Sequence, residues 1–221
     1  MAGEALQCPT LLLCGYGGHR IEGIGDKHVP WIHSVKNTDV VIAVDDQSCM
    51  NLIRLFNEPE GWNYLMKQGV SDDLIRKLPL MGISSIGNLL CAIKFAKYYE
   101  LTKCDIVMTV WTDSIDLYHT RLKEMQDIDG PYSELKTARD YHRYLMAEST
   151  AHVRELNYSD KRQIHNLKYF TWIEQQGKEL SELNAQWYDP EYWESIYQQA
   201  SEIDRLIEAF NDRTGLLRHC N

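Results

Sequence analysis

The sequence has no CxxC pair, no HExxH or HxH spacing, no GxSxG elbow and no excess of positive charge. It also has no apolar run approaching the ~20 residues that cross a bilayer. Each absence removes a class. The six cysteines, Cys8, Cys14, Cys49, Cys91, Cys104 and Cys220, are irregularly spaced, which argues against a zinc site or a disulfide framework. They read as reduced thiols of a cytoplasmic protein, with Cys91 and Cys104 in apolar surroundings as core thiols. The eight histidines are scattered, with no paired metal spacing. Without a GxSxG elbow, Ser–His–Asp hydrolysis has no support. A net charge of −9 excludes a general nucleic-acid binder, which needs basic surface to displace counterions from phosphates. The opening MAGEALQCPTLLLCG has no basic start and too short an apolar run for a signal peptide. It enters an apolar stretch almost at once.

What is present is a soluble, globular balance: 44% hydrophobic and 25% charged residues over a length that can bury a sizeable core. Residues 1–118 alternate apolar runs with helical patterns. Thr10–Cys14 is a brief apolar run, Thr38–Val44 is almost continuously apolar, and Asp105–Trp111 (DIVMTVW) is similar. Strands that are apolar throughout are covered on both faces, as in a parallel sheet. Between them, Asp46–Phe56 follows two aspartates able to cap it. Ser85–Tyr99 carries Ile86, Leu89, Leu90, Ile93 and Ala96 on one face. Strand, helix, strand is the signature of an α/β fold.

Residues 119–221 change character, with helical periodicity and no continuous apolar strand. Helices are expected over roughly 133–148, 161–176 and after Asp189. In the last, Asp189 is the N-cap, Pro190 sits in the first turn and Gly215 follows the end. Its apolar face runs through Trp193, Ile196, Tyr197, Ala200, Ile203, Leu206, Ile207 and Phe210. A break falls near Tyr118–Pro131, giving an α/β part (1–118) and an all-helical extension (119–221).

Four stretches could carry chemistry. CGYGGHRIEGIG (Cys14–Gly25) holds five glycines, which let backbone N–H groups approach a ligand. No amphipathic helix follows Gly15–Gly18, so those four residues read as a turned surface loop. In GIGDKHVP (Gly23–Pro30), Lys27 and His28 have no sequence-local partner to tune them and read as a solvent-facing pair beside a turn. In MGISSIGNLL, a short strand runs into Gly82 and then an amphipathic helix, with Ser84 at the junction. Read alone, Ser84 is a plain N-cap. VWTDSIDLY (Val110–Tyr118) follows the last apolar strand, where open α/β sheets present ligand-binding residues. There Asp113 and Ser114 divide evenly between ligand contact and capping. Tyr169–Trp172 reads as packing.

In order along the chain, these motifs resemble the fold-type II pyridoxal-phosphate enzymes, the family of cysteine synthase, cystathionine β-synthase and the tryptophan synthase β chain. HRIEGIGDKHVP (His19–Pro30) is similar to that family's H-x-I-x-GIG loop, GISSIG (Gly82–Gly87) to its GISSGA, and WTDS (Trp111–Ser114) to its Pro-Asp-Ser or Pro-Ser-Ser. Extra residues lie between Phe56 and Leu80. The resemblance covers about residues 4–118 and implies a partial parallel sheet of the tryptophan-synthase-β-like fold. It implies that Ser84 hydrogen-bonds the pyridine nitrogen of pyridoxal 5′-phosphate, that Gly23, Ile24 and Gly25 line the cofactor, and that Asp113 and Ser114 stand near the pyridine end. It implies β-replacement or β-elimination on an amino-acid substrate, and a homo-oligomer.

The family's Schiff-base lysine, its asparagine loop and its GTGGT phosphate loop lie upstream of every residue matched. No catalytic residue is therefore assigned within the chain, and Lys27 does not stand in for the lysine. Met1 is expected to fall in mid-domain, with an N-terminal partner segment or chain supplying the rest. Two other readings stay open: a non-catalytic assembly protein derived from that fold, and an unrelated doubly wound domain binding a nucleotide.

Overall fold

In a computed structural model, which describes residues 1–215, the chain is about 60% helical around a small mixed sheet. In chain order the elements are β1 (Ala2–Ala5), α1 (Thr10–Leu13), β2 (Val40–Val44), α2 (Asp46–Asn57), α3 (Pro59–Lys67), α4 (Asp72–Lys77) and α5 (Ile83–Tyr98). There follow α6 (His119–Asp129), α7 (Glu134–Asp140), β3 (Val153–Glu155), α8 (Tyr158–Lys168), α9 (Leu180–Tyr188), α10 (Tyr192–Tyr197) and α11 (Ala200–Thr214). Cys220 lies outside the described residues.

β2 is the centre of the molecule. All five of its residues are buried, and they divide by alternation. Val40, Ile42 and Val44 join the core built by α2 and α5, through Leu52, Ile53, Ile86 and Leu90. Val41 and Ala43 join a second core with Leu11, Leu12, Val29, Val35 and Ile164. A run with no polar residue is what a strand between two cores requires. β1 pairs with β2 in parallel, Ala2 opposite Val41 through Ala5 opposite Val44. On the other side β3 pairs antiparallel, Val40 opposite Glu155 through Ile42 opposite Val153. The sheet is therefore mixed, where a parallel one was expected. The region expected to be all helical contributes one of its strands.

The helices flanking the sheet follow their sequence signals. The Asp45 carboxylate caps α2 by accepting from Gln47 N–H at 2.7 Å. α3 turns tightly off its end, because a side chain at Gly61 would run into the Leu55 carbonyl. The extra residues between Phe56 and Leu80 are α3 and α4. The extension docks on this frame through buried polar pins. Lys94 of α5 reaches Glu148 at 2.8 Å and the Ser149 carbonyl at 3.1 Å.

Lys168 of α8 is fully buried and donates to the carbonyls of Trp31 (2.8 Å) and His33 (2.7 Å) and to Gln186 Oε1 (2.7 Å). Burial pulls its pKa down to about 7. Both expected helices in this region continue as π-helical turns, α7 through Tyr141–Met146 and α8 through Tyr169–Gln175. Phe170 is exposed, while the Trp172 indole N–H donates to the Val29 carbonyl at 2.8 Å, so YFTW is only half packing.

Several expectations are corrected. Thr10–Cys14 is a helical turn, because the Glu4 carboxylate accepts from Leu11 N–H (2.9 Å) and Leu12 N–H (2.7 Å) at its start. The helix expected after Asp189 is two, α10 and α11, and the Asp189 carboxylate caps Glu191 N–H at 2.9 Å ahead of them. Residues Leu78–Leu80, ahead of Gly82, form a 3-10 turn rather than a strand. Asp105–Trp111 is not a strand but an irregular, largely exposed segment with no strand partner among the described residues. Cys104 at its head is exposed; only Cys91 of that pair is buried, and burial raises its thiol pKa to about 12.

Candidate functional site

The three matched motifs converge at the N-terminus of α5. Gly82 is the N-cap, which places Ser84 inside the first turn rather than capping it. A side chain on Gly82 would collide with the Asp113 carboxylate, and Gly82 N–H donates to the Asp113 carbonyl at 2.9 Å. The glycine is thus a close-approach residue that lets WTDS lie across the helix start. Two hydroxyls fasten the crossing. Ser84 Oγ and Thr112 Oγ1 share a hydrogen bond of 2.9 Å, and Ser85 Oγ accepts from Thr112 N–H at 3.3 Å.

The glycine loop meets this junction from the other side. Gly23 and Gly25 have φ of +87° and +95°, values that L side chains resist. A Cβ built on Gly23 would lie 3.6 Å from Ser84 Cβ and 3.7 Å from Ser84 Oγ. Ile24 packs on the α2–α5 core and approaches Gly87. Ser84 is therefore flanked by Gly23 on one side and the Thr112 hydroxyl on the other, and is 5% exposed.

Asp113 is half-buried. Tyr118 O–H donates to its Oδ2, while its Oδ1 is buried with no partner among the described residues. Burial and the Asp113 charge together raise the Tyr118 pKa. Ser114 faces elsewhere. Its hydroxyl accepts from Asp116 N–H at 3.3 Å and donates to the Asp116 carboxylate at 3.0 Å, the capping role of the two weighed for it. Of the residues singled out from sequence, Gly23, Ile24, Ser84 and Asp113 are brought together, Gly25 borders them, and Ser114 stands apart.

Beside this junction a cleft of about 840 Å³ runs between the glycine loop and β1. Gly23–His28 line one wall; Ala2, Gly3, Glu4 and Asn88 line the other. Lys27 is exposed at the cleft's rim as expected, but His28, expected to lack a sequence-local partner, has one: its Nδ1 lies 3.2 Å from Asp26 Oδ1. Glu4 is held with its pKa raised by burial, against the pull of the α1 amides it caps. His33 also lines the cleft; burial first, and the Lys168 charge second, lower its pKa to about 4, which leaves it neutral near pH 7.

Three contributors escaped the sequence reading. Thr112 was inside a flagged motif, but its pairing with Ser84 depends on how two loops cross. Asn88 and His19 lie among flagged residues, yet only the fold turns them toward the cleft. Among the described residues no cluster of three or more metal-type side chains forms. No single described helix is long and apolar enough to cross a membrane. No family model, curated protein or solved structure matches the chain.

Proposed function

We propose that the chain is the ring-nitrogen wall of a pyridoxal-phosphate site, the C-terminal portion or split subunit of a cysteine-synthase-like enzyme acting on an amino acid by β-replacement or β-elimination. The observation that carries the reading is the contact between Gly23 and Ser84. Two motifs far apart in sequence, each similar to a cofactor-lining motif of one family, come so close that a Cβ added to Gly23 would touch Ser84.

The residues present fit the pyridine end of such a cofactor. The Ser84 hydroxyl makes one hydrogen bond, to Thr112, and a hydroxyl has capacity for more. If Thr112 donates to it, Ser84 is free to donate to a ring nitrogen. Its neutrality matters: a serine holds the ring without the protonation an aspartate would enforce, which suits elimination and replacement over transamination. Gly23, Ile24 and Gly25 line the cleft that such a ring would enter. Pyridoxal phosphate, when bound, supplies the electron sink. The lysine that holds it and the grip on its phosphate come, in this reading, from polypeptide outside residues 1–221.

The test mixes pyridoxal phosphate with the chain alone and with the polypeptide encoded immediately upstream, followed by borohydride and mass spectrometry. The chain alone is expected to give no single stoichiometric lysine adduct, and the complemented chain to give one on the partner. A unique adduct on this chain, at Lys27 or elsewhere, would overturn the split. In the complemented enzyme, Ser84→Asp is expected to shift the ratio of replacement to side products, and an unchanged ratio would remove the role given to Ser84.

A second reading, a non-catalytic assembly protein, draws on α11. Its Ile203, Leu206, Ile207 and Phe210 are about half exposed along one face, the pattern of a helix that awaits a partner.

A further inference from the structure

Between α8 and α9 lies a second pocket, of about 280 Å³, which shares no residue with the cleft beside Ser84. Arg162 and His165 of α8 face Leu180 and Leu183 of α9 across it, with Phe170 at its edge. Leu183 is buried, while Phe170 and Leu180 are 57% and 47% exposed, so floor and rim are both apolar. No aspartate or glutamate among the described residues lines it, in a chain whose net charge is −9.

Arg162 is the anomaly. Its guanidinium lies 5.0 Å from the ring centres of both Trp187 and Tyr188, which hold it in place. An arginine has five N–H donors. Among the described residues only Nη2 is engaged, by donating to the Tyr188 hydroxyl at 2.9 Å. Nη1 is shut off from solvent with no acceptor. No carboxylate of the described residues forms an ion pair with it. A fixed, partly buried guanidinium without an acid is costly to hold, and its planar fork matches a carboxylate.

His165 supplies a different group one helical turn away. Its Nε2 lies 3.2 Å from the Leu183 carbonyl. A carbonyl only accepts, so Nε2 carries the proton and Nδ1 is a lone-pair acceptor, without a partner among the described residues. Burial first, and the Lys168 charge second, lower its pKa to about 4, so the ring is neutral near pH 7. The pocket thus sets one cation and one neutral acceptor over an apolar floor. Residues three apart on a helix are surface neighbours, so a single small molecule reaches both. At ~30 Å³ for each water in the liquid, the volume is that of about nine waters, the size of a small organic acid.

We propose that this pocket binds a small carboxylic acid with an apolar tail and a hydrogen-bond donor beside the carboxylate. The carboxylate sits on the Arg162 guanidinium, the donor meets His165 Nδ1, and the tail covers Leu180, Leu183 and Phe170. The site stands apart from the pyridoxal-phosphate reading and does not rest on it.

The experiment is isothermal titration calorimetry of the chain at pH 7 with 2-hydroxy-4-methylpentanoate, 4-methylpentanoate and 4-methylpentanamide. The hydroxy acid is expected to bind, the acid without the hydroxyl to bind about threefold or more weakly, and the neutral amide at least about tenfold more weakly than that acid. Arg162→Met is expected to weaken the hydroxy acid at least about tenfold, and Arg205→Met, an exposed arginine on α11, to leave it unchanged. Equal binding of acid and amide overturns the carboxylate site, and this comparison needs no variant, so it decides even if Arg162→Met does not fold. Unchanged affinity in a folded Arg162→Met places the acid elsewhere and overturns the pocket. Equal binding with and without the hydroxyl overturns the part given to His165. Failure of all three probes to bind at millimolar concentration overturns the proposal whole.

Discussion

Val40–Val44 and Asp105–Trp111 are near twins in sequence and opposites in structure. Both are short, apolar and rich in valine, and both were expected to be buried strands. One is the wholly buried centre of the fold; the other lies open, with Ile106 and Met108 each 87% exposed. The difference lies in their neighbours. β2 has a strand on each edge and a core on each face. Among the described residues Asp105–Trp111 is tied to α5 by one hydrogen bond, from the Asn88 side chain to the Val110 carbonyl; the Ser84 and Ser85 hydroxyls hold Thr112, just past it. Strand propensity expresses fitness for a packed, pleated surface, and it has no force where that surface is missing.

The comparison breaks most sharply at Ile42. Ile42 is fully buried on the α2–α5 side of β2. Ile42→Ala is expected to lower unfolding free energy by about 3 kcal/mol, read by urea denaturation, through lost burial and the cavity left behind. A loss below about 1 kcal/mol would mean that β2 is not the keystone its packing indicates.

Next in size is the pin that holds the extension to α5. Lys94 is 3% exposed and, among the described residues, its carboxylate partner is Glu148. Glu148→Gln leaves the ammonium buried with a neutral partner, and is expected to cost about 2–3 kcal/mol, within the range for breaking a buried pair. The double variant Lys94→Met/Glu148→Gln should recover part of that loss, since no charge is then stranded.

A third, smaller effect concerns the other face of β2, where Lys168 clasps the carbonyls of Trp31 and His33. Burial lowers Lys168 from 10.5 to about 7. Between those values the unfolded chain holds a proton that the folded chain releases, so stability rises with pH. Burial and Lys168 lower His33 from 6.5 to about 4, and the same two causes lower His165 equally. Between pH 6.5 and 4 the unfolded histidines take up protons that the folded ones refuse, so stability falls as pH drops. Burial raises the Cys49 and Cys91 thiols from 9.0, with the opposite sign at high pH, so the alkaline window to measure is about 7 to 8.5. In Lys168→Met the rise across that window should vanish, while the acid loss diminishes as the charge beside both histidines is gone.

What the sequence made legible follows the same division. α2 with its Asp45 cap, α5 and β2 were readable because each signal is local or is satisfied by neighbours inside the chain. The meeting of Gly23 with Ser84 was expected through the resemblance alone; neither glycine nor serine carries a local mark of the other. The mixed sheet was not legible, because β3 is three residues long and its pairing with β2 is fixed by how the extension docks through Lys94 and Lys168. Ser114 was an even choice, and a two-residue hydrogen bond to Asp116 decided it for capping. Asp105–Trp111 misled because its pattern describes a surface that residues 1–215 do not supply.

The smallest expected effect is the most telling. Met108→Ala removes a large apolar side chain, as Ile42→Ala does, from a run of the same character. In the chain alone Met108 touches little, so urea denaturation should register a change within about 0.5 kcal/mol. Burial, not residue type, sets the cost of truncation. A large loss in the chain alone would mean that Met108 is already packed, and the contrast between the two runs would then rest on something other than missing neighbours.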